Sequence, residues 1–593
     1  MKRNVFISPL VAFMSLSLVG CTITSGAIDP SDYAYTVNEV NVYVEAGKVD
    51  RTVDIRYYYD AEEVPFIGVR QFIREFFNYN ISYFSDGSYY QYSANRSSII
   101  SVDTSRDILS LYNIQDFDYN PQYPHVTSKT FLHALDVSNT TPKIKSINLA
   151  NYGINAHGDV DDAYLPLTLL SDLVGGMSGY TIAYNGEAIY ALDQNGLLNA
   201  AGETRNAQYY GDSFHAPMQN EKRSDFLIKY NYNILCLVFD NLRGYTSQLV
   251  MGDYNLVSLG LNGLLEEFYP QIKEYLLSTD TETYLYGLKL LFCGLSDGGH
   301  TGIIDKAYNM TTEEMMRCLK DEKEKYLVTG HNKGTTAKSL EAVVMAQAKA
   351  DLTKGESKYY VEDVATKIAY IGFDSFDYDV TGWDAYYRGK GEIPVETDTY
   401  AYIRDCLIKA KESEMKTVVF DVTTNGGGTL GACVAIAALC NGGKANFTQM
   451  DTISSYRITM SLGIDVDLDG DVDQDDFDMA SGFDFEYVCL TSCYSFSCAN
   501  LLPSMLKDNG AIIAGQKSGG GSCAITIECT ADGVTYVRSS FVSLCNAKGD
   551  NIDTGVDIDF SLYNEEGETG AECYANFYSF EAMADGLSKL KGE

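Results

Sequence analysis

Ser497 has the sequence context of a catalytic nucleophile. It lies in the segment Cys493-Tyr494-Ser495-Phe496-Ser497-Cys498-Ala499-Asn500, after an apolar run at 485–490 that predicts a buried strand and before a stretch to about Lys507 that predicts a helix. A serine hydroxyl in the first turn of a helix lies at the positive end of the helix dipole, which stabilises an alkoxide or an oxyanion. The same position suits a helix cap, which on position alone is the more frequent role.

His300 is the residue whose chemistry fits a general base. It is one of only six histidines and lies in the glycine-rich bend 294–302, directly after a predicted helix. A hydrolytic serine needs a base that accepts a proton near neutral pH, and an ordinary histidine meets that requirement. A single histidine in a loop is more often incidental, so the bend alone does not decide its role.

A run of three glycines, Gly426 to Gly428, follows a predicted strand at 417–422 and precedes an apolar helix at 432–439. Consecutive glycines let backbone N–H groups approach a ligand closely, and at a strand-to-helix turn they can hold an anion or an oxyanion. The alternative is a tight connection without a chemical role.

Four motifs in this order resemble the serine peptidases of the C-terminal processing and tricorn type, over about residues 225–565. They are Asp297-Gly-Gly-His300-Thr301, Asp421-x-x-x-Asn425-Gly-Gly-Gly428, Ser495-x-Ser497-x-x-Asn500 with Lys507-Asp508-Asn509-Gly510 downstream, and Gly515-Gln-Lys-Ser-Gly-Gly-Gly-Ser522. The resemblance implies an αβ core similar to ClpP and crotonase, with Ser497 as the nucleophile. It also implies an oxyanion hole from Gly427, Gly428 and the backbone N–H of Cys498.

One departure indicates the subgroup. The catalytic lysine of the processing enzymes has its counterpart at Gly521, so their Ser-Lys dyad is missing. Tricorn-like members instead take a histidine from a bend of the Asp-Gly-His-Thr kind, which His300 matches. By the same resemblance Asp553 is the nearest acid to orient that histidine, although it is one place off a strict match. Lys517 stays a rival base, and Asp508, which matches an acid of the processing enzymes, is the alternative for bracing the site.

An aspartate-rich segment, 465–476, resembles the calcium loops of EF-hand and dockerin repeats. Eight aspartates fall within residues 465–478, and a divalent cation bound through oxygen would relieve their mutual repulsion. The alternative is a solvated acidic loop. One copy of the motif predicts a local structural Ca²⁺ and no docking to a cohesin. The predicted ligands are Asp465, Asp467, Asp469, Asp471 (through its carbonyl), Asp473 and Asp476.

These residues need a scaffold, and the hydrophobic patterning predicts a multidomain α/β protein. Helical periodicity dominates 220–350, which carries the histidine bend, and strands alternate with helices over 360–565, which is typical of a parallel or mixed αβ core. Period-two strands predict two small α+β units at 30–140 and 141–210, which we interpret as a degenerate duplication. Residues 566–593 are expected to be a C-terminal tail of the core.

The N-terminus predicts export. Met1-Lys2-Arg3 precedes an apolar stretch from about Val5 to Val19, which is typical of a signal peptide at 1–20. Leu18-Val19-Gly20-Cys21 resembles the bacterial lipoprotein lipobox, which implies lipid on Cys21 and a location in the bacterial cell envelope, outside the cytoplasm. The alternative is an ordinary signal peptide with an incidental cysteine.

The charge excludes several partners. With 44 Lys and Arg against 81 Asp and Glu, the net charge of −37 argues against nucleic acids and against electrostatic membrane docking. Together these features predict an exported, lipid-anchored serine peptidase that acts on peptides or proteins and needs no cofactor for catalysis. The alternatives are a catalytically inactive peptidase-like scaffold and a glycan-binding surface lipoprotein that uses its Tyr-rich N-terminal half.

Overall fold

The computed structural model describes residues 35–45, 48–77, 80–94, 98–114, 117, 131–175, 180–193, 223–244, 249–297, 300–303, 312–566 and 570–592. The predicted signal peptide and Cys21 lie outside the described residues. Strands and helices are numbered along the chain.

The first part of the chain forms two antiparallel-rich sheets. A seven-stranded sheet has the order β10-β11-β3-β2-β1-β13-β12, and a five-stranded sheet has the order β4-β5-β6-β7-β9. Strands from both predicted units, 30–140 and 141–210, share the larger sheet, so the two are one body in the structure. The elements are β1 Tyr35–Glu45, β2 Lys48–Tyr58, β3 Ala61–Gly68, α1 Val69–Phe77, β4 Ser82–Asp86, β5 Tyr89–Ala94, β6 Ser98–Asp103, β7 Ile108–Tyr112, β8 Leu132–Asn139, β9 Lys145–Asn148, β10 His157–Gly158, β11 Ala163–Pro166, α2 Leu167–Leu170, β12 Tyr180–Tyr184 and β13 Ile189–Asp193.

A helical region follows. Ser224 caps its first helix by accepting the Leu227 N–H at 3.0 Å, and Asp280 caps α6 by accepting the Thr283 N–H at 2.9 Å. Helix α6 ends three residues before Asp297, so its packing fixes where the histidine bend begins. The elements are α3 Asp225–Asn241, α4 Asp253–Phe268 with a kink at Gly260, α5 Pro270–Leu276, α6 Thr281–Gly294, β14 Gly302–Ile303, α7 Thr312–Cys318, α8 Glu322–Ala348 and α9 Ala350–Thr353.

The core is built on a five-stranded sheet of order β15-β16-β17-β20-β21, in which β16, β17, β20 and β21 are parallel. Helices cover both faces, which is why β16 and β17 are buried along their whole length. The elements are β15 Lys358–Asp363, β16 Ile368–Phe373, α10 Val380–Tyr387, α11 Thr399–Glu412, β17 Thr417–Asp421, α12 Leu430–Leu439, β18 Lys444–Asp451, β19 Tyr456–Ile464, α13 Gln474–Ser481, β20 Glu486–Thr491, α14 Cys498–Asp508, β21 Ile512–Gly515, β22 Cys523–Cys529, β23 Thr535–Cys545, α15 Gly570–Cys573 and α16 Phe580–Lys591.

The carboxyl ends of parallel strands meet at one edge of a sheet, and ligands bind there in open α/β sheets. Strand β17 leads into the glycine run, β20 into Ser497, and β21 into the segment that contains Lys517 and Gly521. The three motifs therefore converge although they are up to about a hundred residues apart in sequence.

A second core sheet has the order β14-β23-β18-β19-β8, and β22 also pairs with β23. Two of its strands, β8 and β14, come from outside the predicted core at 360–565. The predicted α/β fold class is confirmed, with several sheets and helices around an αβ core, but the core is completed by strands from both regions that precede it.

Candidate active site

Ser497 stands on a strained turn between β20 and α14. Its backbone has φ 57° and ψ −120°, a left-handed conformation that is rare for a residue with a side chain. Although Ser497 occupies the N-cap position of α14, its hydroxyl accepts no hydrogen bond from the helix amides. The Ser497 N–H donates to the Gly520 carbonyl at 3.0 Å. The turn thus holds the serine backbone firmly and leaves its hydroxyl out of the helix cap.

The glycine turn lies directly against this serine. A Cβ on Gly427 would lie 2.7 Å from the Ser497 Cβ, and a Cβ on Gly428 would lie 2.6 Å from the Phe376 carbonyl oxygen. Both glycines have positive φ, 115° and 142°. Side chains are therefore excluded here by space as well as by backbone conformation.

Two of the three predicted oxyanion donors remain available. The Gly427 N–H donates to the Asn425 Oδ1 at 2.8 Å, so this amide is already used. Within the described residues, the N–H groups of Gly428 and Cys498 donate to no acceptor. Asn425, whose role the sequence did not reveal, is fully buried, and its Nδ2 donates to the Phe373 carbonyl at 3.0 Å. It fixes the turn, and its place in the Asp421–Gly428 motif was the only signal of it.

His300 lies at the same site. Its ring packs edge-on against Phe496, the residue before Ser497, with 4.7 Å between ring centroids. The residue is only 8% exposed. Its backbone N–H donates to the Asp297 carboxylate at 3.0 Å, and Gly298 and Gly299 between them lie outside the described residues. The helical region thus delivers its histidine to the edge where the parallel strands end.

Asp553 also reaches this neighbourhood. Its buried carboxylate accepts the Ser522 N–H at 2.8 Å and the Ser522 hydroxyl, and its carbonyl approaches Gly520 so closely that a Cβ there would lie 1.9 Å away. Gly520 is the residue that binds the Ser497 N–H. Burial raises the pKa of Asp553, hydrogen bonds from Ser522 oppose this, and nearby Asp297 adds to the increase.

The rival base Lys517 is engaged elsewhere. Its ammonium forms an ion pair with Asp557 at 2.9 Å, and its side chain is half exposed. The ammonium thus binds a surface carboxylate, and this arrangement does not suit a base for Ser497.

Asp508, the alternative bracing acid, does not lie at the site. It is exposed at the far end of α14 and accepts the Ala547 N–H at 2.7 Å. Since a helix rises 1.5 Å per residue, the helix separates Asp508 from Ser497 by about 15 Å. The acid predicted from the motif is therefore in the helix that follows Ser497, but at the end of that helix away from the serine.

The aspartate-rich segment forms a compact loop between β19 and α13. Carboxylate oxygens of Asp465, Asp467 and Asp476 lie within 4.8 Å of one another, and so do those of Asp471, Asp473 and Asp476. Gly470 at position six has φ 100°. Two carboxylate triads that share Asp476 fit the oxygen ligands that Ca²⁺ prefers.

The loop is anchored at its first residue. The Asp465 N–H donates to the Phe131 carbonyl at 2.9 Å, and its own carbonyl accepts the Tyr400 hydroxyl at 2.7 Å. The Asp465 carboxylate accepts the Gly470 N–H at 2.8 Å and the Tyr387 hydroxyl at 3.0 Å. Burial raises the pKa of Asp465 to about 6, partly opposed by these hydrogen bonds. The loop therefore binds to the core by its first residue and leaves Asp467 and Asp469 exposed.

Residues 367–562 match the model of Peptidase family S41. A search among curated proteins finds no match for the chain.

Similar solved structures include a candidate peptidase from Parabacteroides merdae, with 14% identity and a TM-score of 0.39, over 58% of this chain and 93% of that one. A lipoprotein from Streptococcus agalactiae has 12% identity and a TM-score of 0.30, over 62% and 97%. The photosystem II D1 C-terminal processing protease has 18% identity and a TM-score of 0.25, over 36% and 47%. The family match rests on the segment that contains the glycine turn, Ser497 and Asp553. Residues 367–562, about a third of the chain, therefore match Peptidase family S41, and this match supports a serine-type peptidase.

Proposed function

We propose that this peptidase cleaves peptide or protein substrates through an acyl-enzyme, with Ser497 as the nucleophile and His300 as the general base. The observation that carries the proposal is the strained Ser497 turn, which lies against Gly427 and beside two N–H groups that donate to no acceptor among the described residues. His300 against Phe496 supplies a base on the same side. The proposed pair resembles the tricorn-like arrangement and differs from a Ser-Lys dyad.

The reaction would proceed in two halves. His300 takes the proton of the Ser497 hydroxyl as the oxygen attacks the peptide carbonyl, and the Gly428 and Cys498 amides bind the negative oxygen of the tetrahedral intermediate. His300 then gives the proton to the leaving amine. Water, activated by the same histidine, releases the acyl group and restores the serine. Asp553 is the proposed orienter of His300, supported by its burial and by its link to Gly520.

Three variants test the mechanism. Ser497→Ala should lower turnover of casein or a peptide by on the order of 10⁶-fold and should abolish labelling by a fluorophosphonate probe. His300→Ala should lower both strongly, whereas Lys517→Ala, the matched change at the rival base, should keep activity within a few fold. Labelling that survives in Ser497→Ala would assign the nucleophile elsewhere. No labelling of the unmodified protein with Ca²⁺ present would favour the inactive scaffold.

The acidic loop is proposed to hold one structural Ca²⁺. The support is the two carboxylate triads, the glycine at position six and the buried anchor at Asp465. Asp465, Asp467, Asp469, Asp473 and Asp476 would supply carboxylate oxygens and Asp471 its carbonyl. The cation would offset the repulsion within the loop, and it takes no part in the proposed chemistry.

The proposal includes lipid anchoring of the exported protein through Cys21. In the part of the chain that the structure describes, no helix is long and apolar enough to cross a membrane. The support for a lipid anchor is the lipobox-like sequence before Cys21. The proposed location is the bacterial cell envelope, outside the cytoplasm.

A further inference from the structure

Asp297 is a buried carboxylate that gathers donors from three elements. It accepts the His300 N–H at 3.0 Å and the Thr301 hydroxyl at 2.7 Å from its own bend. It also accepts the Ser539 hydroxyl at 2.7 Å from strand β23. Arg243, just beyond α3, pairs with it at 3.3 Å, and both side chains are fully buried. A buried carboxylate with this many partners fixes the elements that donate to it.

The Arg243 side of this cluster is itself fixed. The Arg243 Nη2 also donates to the Leu295 carbonyl at 2.8 Å, which ties the end of α6 to the same guanidinium. The next residue, Gly244, runs so close to β23 that a Cβ would lie 2.1 Å from the Ser540 carbonyl. These contacts connect the histidine bend to the end of α3, to the end of α6 and to β23.

Strand β23 contacts the histidine bend and also the segment that binds Asp553. Beyond His300, Gly302 and Ile303 pair with Val537 and Tyr536 of this strand. Four residues along it from Ser539, Ser543 bonds with the hydroxyl of Ser522 at 2.9 Å, and Ser522 binds Asp553. The pairing of β22 with β23 shifts register between these two serines, since Cys523 pairs with Ser543 and Ile525 with Ser539. Strand β23 therefore contacts Asp297 directly and Asp553 through Ser522.

From this arrangement we propose that Asp297 is a positioning residue for His300, held by Arg243 and Ser539 so that the imidazole meets Ser497 in register. The inference rests on the proposed Ser497–His300 function and deepens it. Asp297 touches the His300 backbone and not the substrate, so it acts through the histidine. The carboxylate also places a negative charge close to the imidazole.

The charge gives a readout that simple destabilisation would not produce. Burial alone would raise the pKa of Asp297, but Arg243, His300 and the hydroxyl donors hold it below its usual range, so the group stays ionised. Its charge favours the protonated imidazole and Arg243 opposes this effect, while the buried Cys523 thiol lies beside the carboxyls of Asp297 and Asp553. Removing it should move the acid limb of the kcat/KM profile to lower pH, because His300 then loses its proton more easily.

The test compares matched changes in a fully buried ion pair and in a largely buried one. Asp297→Asn removes the carboxylate at the bend. Asp532→Asn removes the partner of Arg223, 2.7 Å away, in a contact between the start of α3 and the β22–β23 turn. Within the described residues, the hydrogen bonds of the Asp532 side chain go to Arg223, Asn231, Tyr284 and Thr530. Thr301→Val and Thr530→Val remove one hydroxyl donor from each carboxylate, and they are the milder pair should the charge variants fail to fold.

With the full chain and Ca²⁺, we expect Asp297→Asn to lower kcat/KM and the fluorophosphonate acylation rate by about a hundredfold, and Thr301→Val by about tenfold, with KM little changed. The acid limb should shift in Asp297→Asn alone. The variants at Asp532 and Thr530 should keep unaltered profiles, whatever melting temperature they lose. Equal losses at the two pairs, or an unmoved acid limb, would overturn the inference. Activity in Ser497→Ala would overturn the proposed function instead.

Discussion

At the scale of single residues, Gly428 is a glycine of the site that its neighbours confine closely. Its φ of 142° and the Phe376 backbone 2.6 Å from any Cβ leave no room for a methyl group. Gly431, three residues later in the first turn of α12, has nothing within 4 Å of its would-be Cβ. The two positions therefore separate the effect of a methyl group in the oxyanion turn from its effect on the helix.

We expect Gly428→Ala to lower kcat by about a hundredfold or more, because it displaces one of the two amides that would bind the oxyanion. Backbone strain should also cost about 1–3 kcal/mol of the free energy of unfolding. Gly431→Ala should keep kcat and gain up to about 1 kcal/mol, since alanine favours a helix over glycine. Steady-state kinetics and urea unfolding measure both. Equal kcat in the two variants would remove Gly428 from the oxyanion hole.

The sequence predicted the principal side chains of the proposed site but not their bracing. Ser497, His300 and the glycine run could be proposed because each lies in a short motif whose residue types match a chemical task. Asn425 and Asp297 stood in those same motifs, yet their roles depend on which carbonyl or hydroxyl the fold brings near. Asp508 shows the limit of motif matching, since a helix rise of about 15 Å separates it from the serine.

At the scale of elements, the acidic loop joins β19 to α13 and depends on Asp465 for its attachment to the core. We expect Ca²⁺ to bind this loop and raise the melting temperature, with about 2.7 kcal/mol of added stability at a hundredfold excess over Kd. Asp467→Asn should weaken binding about tenfold or more, because it removes one charged ligand. Calorimetry and thermal unfolding report both quantities.

Asp478→Asn is the matched control for the loop. It changes an exposed aspartate of the same acidic run that lies beyond position twelve and bonds to Gln474 at 2.7 Å. It should bind Ca²⁺ as the unmodified protein does. If Asp467→Asn and Asp478→Asn weaken binding equally, the loop acts only as a diffuse acidic surface.

Local patterning predicted the elements better than their partners. The N-cap at Asp280, the strand at 417–421 and the helix after Ser497 each follow from caps and periodicity within a few residues. Strand β8 could not be assigned to the core sheet in that way, because its partner β19 begins at Tyr456. Pairing between distant strands depends on packing that no local pattern records.

At the scale of the whole molecule, the described residues form a globular body that a lipid on Cys21 would hold at a membrane. We expect Cys21→Ser to move the protein from the membrane fraction to the soluble fraction and to abolish incorporation of labelled fatty acid. Cys318→Ser, which changes an exposed free cysteine, should leave both unchanged. Peptidase activity should survive in both variants. Retention of Cys21→Ser on membranes would contradict the anchor.

Strand β8 has a consequence for how the enzyme comes into being. It pairs with a strand that is synthesised more than 300 residues later, so β8 has no partner on this edge until β19 has been made. At a synthesis rate of about 5–20 residues per second, that wait is roughly 15 to 60 seconds. Closing so long a loop is slow, and the sheet that aligns the histidine bend is finished only when the chain is almost complete. The topology therefore delays completion of this sheet, and an unfinished chain carries Ser497, the proposed nucleophile, without the scaffold that would position it.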